Sequence, residues 1–70
     1  MKVYWPYADT NYGEHLYTYD SCSTIKDALK CIKNWNKNYW IKKAWIEIHE
    51  IDVGYLAPGG IIKVDLNNNN

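Results

Sequence analysis

Phenylalanine and arginine are both missing from this 70-residue chain. Without Arg there is no planar fork for bidentate contact with guanine, so base-specific reading of a duplex loses its usual side chain. Without Phe, aromatic mass has to come from four Trp and seven Tyr. Those rings carry a polar group and suit half-buried sheet faces and interfaces. Cysteine is reduced to Cys22 and Cys31. If both lay on one helix, nine residues at a rise of about 1.5 Å would hold them about 13 Å apart, too far for a disulfide, which needs Cα atoms within about 7 Å. No apolar run approaches the roughly 20 residues of a membrane span, and the opening MKVYWP shows no apolar export signal. A reducing cytoplasm is the setting these absences imply. Net charge is zero, so charge does little to keep copies apart and self-association is open to the chain.

What is present is a dense apolar composition, 47% of residues, which a single small domain needs for a core. Residues 23–50 organise the rest. At 100° per residue, Ile25, Ala28, Leu29, Ile32 and Trp35 share one helical face, and Lys26, Lys30, Lys33 and Lys37 share another. Ser21, Ser23 and Thr24 compete for the N-cap, with Thr24 and Asp27 forming a weaker capping box. Asn34, Asn36 and Asn38 supply left-handed stop signals. From about residue 39 to 51 the pattern becomes a strand, with Ala44, Ile46 and Ile48 on one side and Trp45, Glu47 and His49 on the other.

Residues 2–7 read as a first strand with Pro6 near its end, 8–13 as a turn and 14–20 as a second strand. Residues 52–60, with Pro58-Gly59-Gly60, read as a loop, and 61–66 as a fourth strand. The all-Asn stretch 67–70 has nothing apolar to anchor it and is expected to fray, leaving one domain over 1–66. The order is β-β-α-β-β: an α+β fold with one helix on one face of a mostly antiparallel four-stranded sheet. Core candidates are Val3, Trp5, Leu16, Ile25, Leu29, Ile32, Ala44, Ile46, Ile48, Ile62 and Val64.

One helix covers one face. The other carries Trp45, Glu47 and His49, with Tyr4 or Tyr17 and Tyr19 as neighbours, and an uncovered aromatic face is the usual material of a protein-binding surface. The plainer reading is a second small cluster shielded by loops. Six of the eight lysines lie within residues 26–43, where Asp27 is the sole acid. Lys26, Lys30, Lys33 and Lys37 are therefore candidates for a charged partner, phosphate or acidic protein, against the plainer reading of a solvated helix face. Cys22 stands just before the helix, where the dipole lowers a thiol pKa, although packing is the commoner role of a free Cys. Two Cys and two His without close pairs do not make a zinc site. No nucleophile elbow, carboxylate pair, P-loop or dinucleotide fingerprint is present. The expectation is a non-enzymatic binding protein with no catalytic residue, cofactor or metal.

The run Thr24-x-x-x-Ala28-Leu29-x-x-Ile32-x-x-Trp35, followed by Ala44-Trp45-Ile46-Glu47, resembles small uncharacterised proteins of phages and prophages of low-GC bacteria. That resemblance covers the middle third of the chain and carries over no functional residue. It implies an inhibitor of a bacterial defence protein, of anti-CRISPR type, which works in the host-cell cytoplasm by occluding a surface. Two other classes compete with it: a nucleotide or nucleic-acid binder using Tyr and Trp stacking with the Lys stripe, and a structural homodimer.

Overall fold

A computed structural model describes residues 1–52 and 55–66. Along them run β1 (Lys2–Thr10), β2 (His15–Tyr17), α1 (Ile25–Asn38), β3 (Ile41–Asp52) and β4 (Tyr55–Val64). The strands form one antiparallel sheet in the order β2-β1-β3-β4, and α1 packs across β1 and β3. This is the expected α+β arrangement, one helix on one face of a four-stranded sheet. No helix among the described residues is long and apolar enough to cross a membrane. The reading of 67–70 as a frayed tail falls outside the described residues.

β1 runs three residues further than expected, through Pro6 to Thr10. In an antiparallel sheet, alternate residues direct their backbone groups to the same neighbour. Tyr4 exchanges both its bonds with Cys22, at 2.9 and 2.8 Å, and the Thr10 N–H donates to the Glu14 carbonyl at 2.9 Å. Pro6 therefore faces that same side, where β2 pairs only Tyr7, Ala8 and Asp9. Its missing N–H falls opposite the break between Tyr17 and Cys22, so no ladder bond is lost. β2 shrinks correspondingly to His15–Tyr17, and the turn to residues 11–13. Thr10, 2% exposed, closes that turn: its Oγ1 accepts from the Glu14 N–H at 2.8 Å and donates to the Glu14 carbonyl at 3.2 Å.

The expected loop over 52–60 is largely strand. β4 starts at Tyr55 and passes through Pro58-Gly59-Gly60 as a bulge, where Ile48 pairs with Gly60 and His49 with Pro58. Gly59 is the extra residue of the bulge. A Cβ on it would come within 3.2 Å of the Ile48 side chain and carbonyl, and Gly60 takes φ +127°. Glycine is what that geometry admits.

Thr24 is the N-cap of α1, its Oγ1 accepting from the Asp27 N–H at 3.1 Å. No left-handed residue follows the helix. Tyr39 caps it in extended conformation, and Asn38 Nδ2 donates to the Asn34 carbonyl at 2.9 Å instead. The core is Ala8, Ala28, Ile32, Ala44 and Ile46, ringed by half-buried Tyr4, Leu16, Leu29, Trp35, Ile62 and Val64. The alternation of β1 runs opposite to the expected one. Tyr4, Pro6 and Ala8 face the helix, while Val3 and Trp5 face the other side, where Val3 is buried as expected, at 7% exposed, but outside the cluster beneath the helix. Ile25, at 38% exposed, lies at the margin of the apolar stripe rather than in the core.

The two cysteines are not separated as a shared helix would require. Cys22 precedes α1 and bridges to Tyr4 beside β1, which brings its thiol into interaction with that of Cys31; both are free. Burial pushes the Cys22 thiol pKa up, and the Cys31 thiol and the Asp27 charge add to the rise. The direction is opposite to the lowering expected for a thiol just before a helix, with desolvation as the largest cause.

Candidate functional site

The sheet face away from α1 is laid out in cross-strand rows. Tyr17 pairs with Tyr7, Tyr7 with Trp45, and Trp45 with Lys63, so one row crosses all four strands. Residues directly opposite on one face lie within side-chain contact. Tyr7 and Trp45 stack at 5.7 Å between centroids and 18° between planes. The His15 ring stacks on Tyr7 at 5.8 Å and tilts toward Trp45 and Tyr17 at 6.0 and 6.1 Å. Tyr19 meets Tyr17 edge-on at 5.7 Å. The next row pairs Trp5 with Glu47 and Glu47 with Ile61, and Trp5 meets the His49 ring edge-on at 5.2 Å.

Polar contacts hold these rings in place. Glu47 accepts from Trp45 Nε1 and contacts His49 Nε2, each at 3.2 Å. Asp9 Oδ1 lies 2.7 Å from His15 Nδ1, and its Oδ2 lies 3.7 Å from Lys43 Nζ. Lys43 in turn places its ammonium 5.6 Å from the Trp45 ring centroid, within cation–π range. Burial, with the Glu47 charge behind it, raises the Tyr7 hydroxyl pKa. The hydrogen bond from His15, helped by the His15 and Lys43 charges, holds the Asp9 carboxyl below its usual range.

That shift has a definite sign. A carboxyl lowered in the folded state stabilises the fold fully above its unfolded pKa, and the contribution disappears as pH falls through the lower folded value. In Asp9→Asn this part of the acid loss should be missing. Urea midpoints across the acid range check it, and identical pH profiles for the two proteins would contradict the pairing.

Of the residues singled out in the sequence, Tyr17, Trp45, Glu47 and His49 share this face. Tyr19, 90% exposed, stands at its edge beyond β2. Lys26, Lys30, Lys33 and Lys37 are all exposed on α1, which covers the opposite face, so the aromatic set and the helical lysines form two separate surfaces. Tyr4 is withdrawn from the site, because it packs under the helix. The sequence reading missed Trp5, Tyr7, Asp9, His15, Lys43 and Lys63. Alternation over residues 2–9 is the signal for Trp5, Tyr7 and Asp9, with the faces reversed from those expected, whereas His15, Lys43 and Lys63 join them through cross-strand register. Among the described residues, no group of three or more His, Cys, Asp or Glu is placed to hold a metal ion.

Compared with known proteins, the chain matches no family model, no curated protein and no solved structure. What can be said of its function rests on this face.

Proposed function

We propose that this chain is a small non-enzymatic binding protein whose working surface is the open sheet face. In this reading it acts by covering a functional surface of a bacterial protein, a defence component in the phage setting that the sequence resemblance implies. The observation that carries the reading is the row Tyr17-Tyr7-Trp45 with His15 stacked against it. Tyr and Trp anchors concentrate binding energy in protein interfaces. Rings already held by Glu47, Asp9 and one another lose little freedom when a partner arrives. The lysines of α1 then face solvent in the complex.

A single-stranded nucleic acid is the second reading, favoured by the lysines beside the rings: Lys43 over Trp45 and Lys63 opposite it. The test is a pull-down from extracts of low-GC bacteria with the tagged chain and its Tyr17→Ala variant, each with and without nuclease. The expected result is one stoichiometric protein that survives nuclease and is lost with Tyr17→Ala. Tyr17 is 52% exposed, so the variant should fold normally. Recovery of nucleic acid alone would favour the second reading, and capture indifferent to Tyr17→Ala would remove this face from the argument. Light scattering of the purified chain at twice the monomer mass would favour the homodimer.

A further inference from the structure

The end of the sheet near Thr10, Ile41 and Val64 carries an irregularity that the aromatic row does not explain. Asp9 pairs with Lys43 but Thr10 pairs with Ile41, so Lys42 is an extra residue bulged out of β3. Ile41 packs against the core, and so does Ala44, three residues on. Regular alternation would put only one of them there. With both ends of this four-residue stretch turned to the core, Lys42 and Lys43 both project away from it, and a bulge is the usual device for redirecting side chains in this way. Lys63 joins them from β4, opposite Trp45 and between the core-facing Ile62 and Val64.

Three ammonium groups thus gather at one end of the open face. Lys43 is engaged by Asp9 at 3.7 Å, and Asp65 stands two residues beyond Lys63 at the same end. The same end carries a groove of ≈ 730 Å³ whose lining includes Lys42, Lys43, Lys63, Trp45, Ile61 and the acid Asp65. It also has an unfinished edge. β4 ends at Val64, opposite Ala44, so among the described residues no strand pairs with β3 from Ile41 to Lys43 on that side. An open strand edge is a template for another strand.

We propose that this groove binds an acidic segment of the partner protein in extended conformation. The segment adds to the free edge of β3 at Ile41, sets its apolar residues against Trp45 and Ile61, and its carboxylates on Lys42 and Lys63. Charge selects the occupant, because three lysines outnumber the two acids at this end, Asp65 in the groove and Asp9 beside Lys43, and so favour Asp or Glu over basic chains. The inference rests on the reading that this face binds protein, and it names the chemistry the partner presents.

The test titrates the isotope-labelled protein with an octapeptide alternating Val and Glu, one alternating Val and Lys, and an oligothymidylate of matched charge. The Val-Glu peptide should shift the amide resonances of Ile41, Lys42, Lys43 and Leu66, and the Val-Lys peptide should leave them unmoved. Affinity should fall about tenfold in the Lys42→Glu, Lys63→Glu double variant, and further with added salt. Both lysines are exposed, so the variant should keep its fold. Equal binding of the two peptides, shifts elsewhere, or binding of the oligothymidylate in place of Val-Glu would overturn the proposal. The pull-down separates it from the parent reading. A partner lost with Tyr17→Ala but kept by the lysine variant leaves the aromatic face standing without the groove. Peptide binding with no captured protein does the reverse.

Discussion

Replacing Ile46 by Ala is expected to remove about 3 kcal/mol of stability and to lower the melting temperature by roughly 12 °C or more. Ile46 is 0% exposed in the middle of β3, among Ala8, Ala28, Ile32 and Ala44. Three of its neighbours are already alanines, which cannot extend into a void, so the cavity would stay largely open. A chain of this size has a total stability of about 4–10 kcal/mol, and the change consumes a large share of it. Ile25→Ala is the control: at 38% exposed it should cost under about 1 kcal/mol. Urea unfolding of both variants checks the contrast, and equal losses would mean that the core is centred elsewhere.

Trp45→Ala is expected to act on binding and on stability together. The ring is half-buried, stacks on Tyr7, lies beside His15 and Lys43, and donates its N–H to Glu47. Its loss should cost about 2 kcal/mol of stability, below the range for a fully buried Trp. Partner binding should weaken by about 2 kcal/mol or more, roughly thirtyfold. Because the fold is also weakened, the decisive comparison is with Tyr17→Ala, which removes an exposed anchor from the same row. Calorimetric titration of the captured partner should show both variants impaired, with only Trp45→Ala shifted in its unfolding midpoint. If Tyr17→Ala binds normally, the effect of Trp45→Ala comes from loosening the sheet and not from a lost contact.

The same wall of side chains that makes Trp45 costly to remove was only partly visible in the sequence. The pattern from residues 39 to 51 placed Ala44 and Ile46 opposite Trp45, Glu47 and His49, and the structure agrees, because a half-buried strand has to alternate with period two. β1 has the same alternation in reverse. Both Val3 and Trp5 are apolar enough for a core and Pro6 reads as a terminator, so nothing local shows that Pro6 and Ala8 lie beneath the helix. The helix needs small residues under it: Ala8 against Ala28 lets α1 approach the sheet closely, whereas Trp5 and Tyr7 would hold it off. That selection is made by the fit between two elements far apart in sequence.

The chain's own periodicities settled that one helix and four strands follow one another as β-β-α-β-β, that α1 starts within a residue or two of Thr24, and that one sheet face would carry Trp45, Glu47 and His49. These are local matters, governed by dihedral preference, capping and a repeat of two or 3.6 residues. Tertiary structure decided the pairing order β2-β1-β3-β4, the continuation of β1 through Pro6, and the bulges at Lys42 and Gly59. It also assembled Tyr17, Tyr7, Trp45 and Lys63 into one row. A cross-strand row is set by register between strands tens of residues apart, and register answers to packing under the helix and to where backbone donors find acceptors. Neither quantity is written in any single stretch of the sequence.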